Sequence, residues 1–287
     1  MDTEQAYVDT ISTILSQLGA VAVTCRNAAE TPIFEPSPDE RPIWKNTTVS
    51  GMFAETADLD RILLVLQAQC HDMLPRGIRL SKLPDSDWQR VWMEYFQPLR
   101  FAGGVWIVPS WHEPPDLQET VIRLDPGMAF GTGTHPTTAI CIEWLAQSKL
   151  NGLCVVDYGC GSGILSLVAA KLGASEVVAV DHDSQALRTT RNNAKNNDVE
   201  RIVATVVPDK MNKLRGKIDI IVANILADPL LSLAPSFAEL LPTNGVLAIS
   251  GILEAQQQNL RQRYARWFTL DTVREQEGWI LLAGRRR

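Results

Sequence analysis

The chain has 287 residues, 45% of them apolar and 21% charged, with a formal net charge of −6, the profile of a globular protein with one large domain or two ordinary ones. No run of about 18 uncharged apolar residues occurs, and the Met1-Asp-Thr-Glu-Gln start has neither a basic nor an apolar signal region, so membrane insertion and export are not expected and the cytoplasm is the expected compartment. Cysteines at 25, 70, 141, 154 and 160 form no CxxC pair and four histidines give no metal-ligand spacing, so neither disulfides nor a metal site are expected; the negative charge disfavours broad nucleic-acid binding and suits a basic, lysine-rich protein partner.

Val8, Ile11, Ile14, Leu15 and Leu18 fall close to helical spacing, and Gly19 stops that helix before a short apolar strand, Val21 to Thr24. A proline-rich turn region (Pro32, Pro36, Pro38, Pro42) leads to a strand near Thr47 to Ala54, a helix opened by Asp58 with Leu59, Ile62, Leu63 and Leu66, and a strand near Ile78 to Leu83. The order α-β-β-α-β over residues 1–84 predicts a small α+β domain. Trp88, Trp92, Phe96, Phe101, Trp106 and Trp111 then crowd residues 85–110 and their border, read as a short helix and irregular chain connecting two domains. Core packing explains these aromatics better than a base-stacking platform, which would need more interleaved cations.

From Thr137 onward, helices and strands alternate in the manner of a doubly wound parallel sheet within a 111–287 domain. Strands are predicted at 154–157, 177–181, 202–207, 218–224 and 246–250, helices at 137–149, 162–172, 184–196 and 229–241. A helix near 254–265 and two strands near 268–273 and 279–283 close the chain. Ligands of such sheets bind beyond the carboxyl ends of the strands, where strand order reverses. Asp157-Tyr-Gly-Cys-Gly-Ser-Gly163 lies at the first strand-to-helix turn. Its glycines allow close backbone approach to a nucleotide-like cofactor, but Ile164 stands where a dinucleotide fingerprint wants a small residue, and no Gly-Lys-Ser/Thr of a P-loop is present. An acidic strand end before the first glycine and a second strand ending in Asp181 resemble the S-adenosylmethionine loop of class I methyltransferases.

Gly159, Gly161 and Gly163 are placed to take methionine's backbone end and the ribose. Asp157 either orients that loop or receives the cofactor's ammonium through water. Asp181, 22 residues after Gly159, is placed to accept from both ribose hydroxyls unless it merely caps the next helix, a task His182-Asp183-Ser184 can also supply. Asn224, ending a very apolar strand, either satisfies a buried backbone group or positions an amine. Leu124 to Thr138, rich in glycine and hydroxyls, reads as a lid leading into a helix N-terminus, with His135 a capping or hydrogen-bonding residue rather than a base and Cys160 a packing residue rather than a nucleophile.

Leu124 to Thr138, Asp157 to Gly163, Val180-Asp181 and Asn224-Ile-Leu-Ala227 together resemble the PrmA family, bacterial methyltransferases of large-subunit ribosomal protein eleven. The likeness extends from Phe34-Glu-Pro and Asp87-Trp through the C-terminus. It implies a class I S-adenosylmethionine methyltransferase sheet preceded by a small ferredoxin-like substrate-recognition domain. It also implies methyl transfer to lysine ε-amines and an N-terminal α-amine, with Thr138, Gly159, Asp181 and Asn224 as cofactor contacts and Asn224 also near the accepting amine. Family members begin with a strand before the first helix, whereas this chain enters that helix almost at once, so the small domain is expected to lack its first strand. The expected chemistry is in-line displacement by a neutral amine, with no covalent protein intermediate and no named general base. The alternatives are a same-fold enzyme acting on another protein lysine or a small amine, and a non-catalytic ribosome-docking protein.

Overall fold

The computed structural model describes residues 1–28, 43–74, 77–83, 96–114, 118–125 and 135–287, which divide into two compact units, Met1–Ser86 and Asp87–Arg287. In the first unit, β1 (Asp2–Glu4), α1 (Val8–Gln17), β2 (Ala22–Asn27), β3 (Asn46–Met52) and α2 (Leu59–Cys70) follow one another. The sheet is antiparallel in the order β1-β3-β2. The strand expected to be missing is therefore present. It is three residues long, too short to show a period-2 pattern, and is made by pairing Asp2 with Thr48 and Glu4 with Asn46.

Helix α1 buries Val8, Ile11 and Leu15, and α2 buries Ile62, Leu66 and Cys70, each set on one helical face. Both faces close over Val49 of β3. Asp58 starts α2 as expected, its carboxylate accepting from the Arg61 amide at 3.0 Å. Residues 78–83 do not form the expected strand. Only Ile78 packs on the core, while Leu80 and Leu83 are exposed. The segment is tied by the ion pairs Arg79–Asp2 (3.1 Å) and Lys82–Glu55 (3.0 Å) rather than by a ladder.

The second unit opens with β4 (Leu99–Phe101), β5 (Val105–Val108) and β6 (Thr120–Arg123), a small sheet in which β5 pairs antiparallel with β4 and parallel with β6. The chain here is thus not irregular. Phe101, Val105, Ile107 and Ile122 join the core of this unit, and Trp106 donates its indole N–H to Glu119 at 2.6 Å. Trp88 and Trp92, the predicted helix around them, the proline-rich turn region and Phe34 lie outside the described residues.

The main sheet comprises β7 (Cys154–Tyr158), β8 (Glu176–Val180), β9 (Val203–Val206), β10 (Ile220–Asn224), β11 (Val246–Leu253), β12 (Phe268–Gln276) and β13 (Trp279–Arg286), in the order β12-β13-β11-β10-β7-β8-β9. Strand β13 runs antiparallel to both its neighbours, and the remaining pairings are parallel. The helices are α3 (Pro136–Gln147), α4 (Ile164–Lys171), α5 (Ser184–Asn196), α6 (Ala227–Leu240) and α7 (Gln257–Tyr264).

Strand residues alternate between two cores, because successive side chains point to opposite faces. Val155, Val177, Ile220 and Val222 join Ile140, Leu145, Leu167 and Leu187 of α3, α4 and α5 on one face. Val156, Val178, Ile221 and Ala223 join Leu230, Phe237, Leu260 and Tyr264 of α6 and α7 on the other. With both faces covered, the central strands read as near-continuous apolar runs. Order reverses between β7 and β10: the helix after β7 leaves to one face and the helix after β10 to the other, which opens a crevice beyond Tyr158 and Asn224.

Candidate active site

The crevice floor is the turn from β7 into α4. Gly159, Gly161 and Gly163 adopt φ of 80°, 52° and 82°, backbone that L side chains rarely take. Space excludes a side chain as firmly as conformation does. A Cβ on Gly163 would sit 2.7 Å from Thr190 Cγ2, and one on Gly159 would sit 2.3 Å from Ile225 Cγ2. The amides of Gly159 and Cys160 both donate to the Val180 carbonyl, at 2.8 and 3.0 Å, fastening the turn to the end of β8.

Two carboxylates then hold the turn in shape. Asp157 is buried, and its Oδ2 accepts from the Ser166 amide at 2.9 Å and the Ser166 hydroxyl at 2.7 Å, so it ties the strand end to the first turn of α4. Burial pushes its pKa up to about 6, against the pull of the two Ser166 hydrogen bonds and with a further push from the charge of Asp181. Of the two readings of Asp157, this geometry carries the loop-orienting one. Asp181, its side chain 11% exposed, accepts from the Gly161 amide at 3.0 Å and the Asp183 amide at 2.9 Å. Helix α5 is capped by Asp183, whose side chain accepts from Gln185 at 2.8 Å. Asp181 is thus not spent as a helix cap, and its carboxylate retains lone pairs for a hydroxylated ligand.

Helix α5 contributes two residues that the sequence reading missed. Thr190, fully buried, donates to the Gly161 carbonyl at 3.1 Å, and Asn193 donates to the Ser162 carbonyl at 2.8 Å. Three positions apart, they lie on one helix face. Polar residues on the face that also buries Leu187 and Ala194 were the available signal.

Across the crevice, α3 begins at His135, whose ring Nδ1 accepts from the Thr137 amide at 3.3 Å and lies 2.7 Å from the Thr137 hydroxyl, with Pro136 in the first turn. His135 is a helix cap, as expected. Its pKa is lowered, chiefly by desolvation and against the raising influence of Glu277. The cap delivers Thr138, completely buried, to the carboxyl end of β10, where Asn224 Nδ2 donates to Thr138 Oγ1 at 3.4 Å. Residues 86 positions apart in sequence thereby meet. Asn224 Oδ1 is buried and has no hydrogen-bond partner among the described residues. A buried amide oxygen in that condition costs free energy unless a ligand donor satisfies it.

Cys160 is buried, desolvation holds its thiol far above the ordinary range, and its sulfur lies 3.4 Å from Thr190 Oγ1, the setting of an inert packing residue. Of the predicted lid, Leu124 to Thr138, residues 126–134 lie outside the described residues. A cavity of about 570 Å³ lined by Trp144, Lys149, Ile220, Val246 and Arg285 opens at the opposite ends of β10 and β11, away from Asn224.

The residues present suit S-adenosylmethionine. The glycine turn offers bare backbone, Asp181 offers carboxylate acceptors at the end of β8, and Asn224 Oδ1 has no donor among the described residues. Seven strands in this order, the last-numbered one reversed, with these groups at the reversal point, define a class I S-adenosylmethionine-dependent methyltransferase. The profile of the ribosomal protein L11 methyltransferase (PrmA) family matches residues 1–287, and the chain belongs to that family. It is 46% identical to the ribosomal protein L11 methyltransferase of Nitrosococcus oceani, over 100% of this chain and 98% of that protein. The protein of the same description from Salmonella arizonae is 42% identical over 100% of this chain and 98% of its own length. A crystal structure of ribosomal protein L11 methylase from Lactobacillus delbrueckii subsp. bulgaricus superposes with a TM-score of 0.61 at 34% identity, covering 67% of this chain and all of that one.

Proposed function

We propose that this protein transfers methyl groups from S-adenosylmethionine to the lysine ε-amines and N-terminal α-amine of ribosomal protein L11, in the cytoplasm. The observation that carries the reading is Asn224 Oδ1, buried beside the glycine turn and without a hydrogen-bond partner among the described residues. An amine nitrogen, which keeps N–H bonds until it is fully substituted, is a donor that completes this acceptor. Thr138 accepts from Nδ2, which leaves the carboxamide oxygen as the atom without a partner among the described residues.

S-adenosylmethionine supplies an electrophilic methyl group on a sulfonium. The chain's residues perform the rest. Asp157, Asp181, Thr190 and Asn193 hold the glycine turn rigid, and Asn224 aligns the amine. Rate enhancement then comes from fixed approach geometry. A lysine at its reference pKa of about 10.4 is protonated near neutrality, and the amine must lose that proton before attack. Asp157 is committed to Ser166, and Asp181 to two backbone amides, so the reading assigns neither as the base. The neutral amine is captured from solvent. The acidic balance of the chain, pI ≈ 5.3, suits a basic ribosomal protein as partner.

Incubation of purified L11 with the enzyme and S-adenosylmethionine, followed by intact-mass and peptide mass spectrometry, tests the assignment. Additions of 14 Da per methyl group at lysines and the N-terminus are expected, and an unchanged mass would refute it. Asn224→Ala should lower the single-turnover rate roughly a hundredfold with a smaller effect on cofactor affinity, as for loss of a positioning contact made mainly in the transition state.

A further inference from the structure

Strand β11 carries an irregularity opposite β13, its register shifting between Ile249 and Ile252, and Gly251 sits within it at φ +84°. On its other side, β11 pairs with β10 as far as Asn224, which faces Ser250, and the next amide, Ile225 N–H, donates to the Ser250 carbonyl at 3.1 Å. The chain leaving Asn224 therefore passes directly over Gly251. A Cβ there would lie 2.4 Å from the Ile225 carbonyl oxygen, 2.8 Å from its carbon and 2.9 Å from its nitrogen. These are backbone atoms, so no side-chain rotation relieves the collision.

The side chain of the same residue reaches the other way. Ile225 Cγ2 occupies the space where Gly159 would carry a Cβ, 2.3 Å away. One residue thus rests its main chain on Gly251 and its side chain on the first glycine of the cofactor turn, immediately after Asn224. We infer that Gly251 is a positioning residue for methyl transfer: its bare backbone sets the height of Ile225, and through Ile225 it fixes both the Asn224 carboxamide and the Gly159 turn. Close-packed interiors transmit such a displacement rather than absorb it. The inference deepens the assignment of Asn224 to the accepting amine and rests on that assignment.

The test uses full-length Gly251→Ala and Asn224→Ala, with Gly152→Ala as the control for backbone strain. Gly152 has nearly the same left-handed backbone, φ +78°, with nothing within 4 Å of a Cβ. Single-turnover methylation of L11 at saturating cofactor, cofactor affinity by calorimetry, and thermal unfolding are measured on each. Gly251→Ala is expected to slow transfer by about tenfold or more and to weaken cofactor binding several-fold, whereas Gly152→Ala loses stability and keeps the wild-type rate and affinity. A folded Gly251→Ala enzyme with the rate and affinity of the Gly152 variant overturns the inference.

Slow Asn224→Ala with fast Gly251→Ala removes only the role of Gly251. Wild-type rate in Asn224→Ala removes the underlying assignment and the inference with it. If Gly251→Ala does not fold, Ile225→Ala decides: several-fold weaker cofactor binding and slower transfer support the coupling, and wild-type values for both overturn it.

Discussion

Asp157 holds the glycine turn with a carboxyl group that burial makes reluctant to ionise. Its pKa in the folded protein, about 6 against an ordinary 3.8, is raised, so the unfolded chain releases its proton first. Stability from this group is complete below the unfolded value and is lost as pH climbs through about 6. Asp157→Asn keeps an oxygen for the two Ser166 donors and removes the ionisation. Relative to wild type, the variant is expected to gain stability between about pH 4 and pH 7, by up to about 3 kcal/mol from a shift of roughly two units. Urea unfolding at both pH values measures this, and a pH-independent difference would refute it. Asp181 gives the complementary prediction: Asp181→Ala should lose about tenfold or more in cofactor affinity, since hydrogen bonds to a charged acceptor are worth roughly 1.5 to 3 kcal/mol. Calorimetry showing wild-type affinity would remove the ribose assignment. Both carboxylates were legible from their places at strand ends. Their division of labour was not, because it depends on Ser166 lying within reach of one and the Gly161 amide within reach of the other.

At the scale of the element, α3 depends on His135 for its cap. A lowered histidine pKa means stability present above the ordinary value of 6.5 and lost as pH falls through the lower folded value, where Nδ1 gains a proton and can no longer accept from Thr137. His135→Ala should cost about 1 kcal/mol above that range, and this difference should shrink on acidification. Denaturant titrations across the histidine range check it, and a difference that does not change with pH would show that the cap does not depend on the neutral ring. Most elements of the second unit were readable from period and punctuation. Strands β4, β5 and β6 were not, because three or four residues carry too short a pattern, and their pairing is supplied by contacts across the small sheet. Residues 78–83 err in the opposite direction: the apolar spacing of a strand is present, but only Ile78 finds a core to cover.

For the whole molecule, each unit has a hydrophobic core of its own. Deletion of residues 1–86 is therefore expected to leave a cooperatively folding fragment with cofactor affinity close to that of the full chain, while methylation of L11 falls steeply. Calorimetry and single-turnover assays on the fragment measure both, and undiminished methylation would show that the first unit does not recognise substrate. By itself the sequence determined the alternation of strands and helices and the glycine turn with its flanking acids, because these follow from local periodicity and from backbone conformations that only glycine takes easily. The tertiary structure alone decided that Asn224 meets Thr138, that Thr190 and Asn193 brace the turn, and that Gly251 lies beneath Ile225. Those contacts join residues far apart in the chain, and only the order and register of the packed strands bring them within bonding distance.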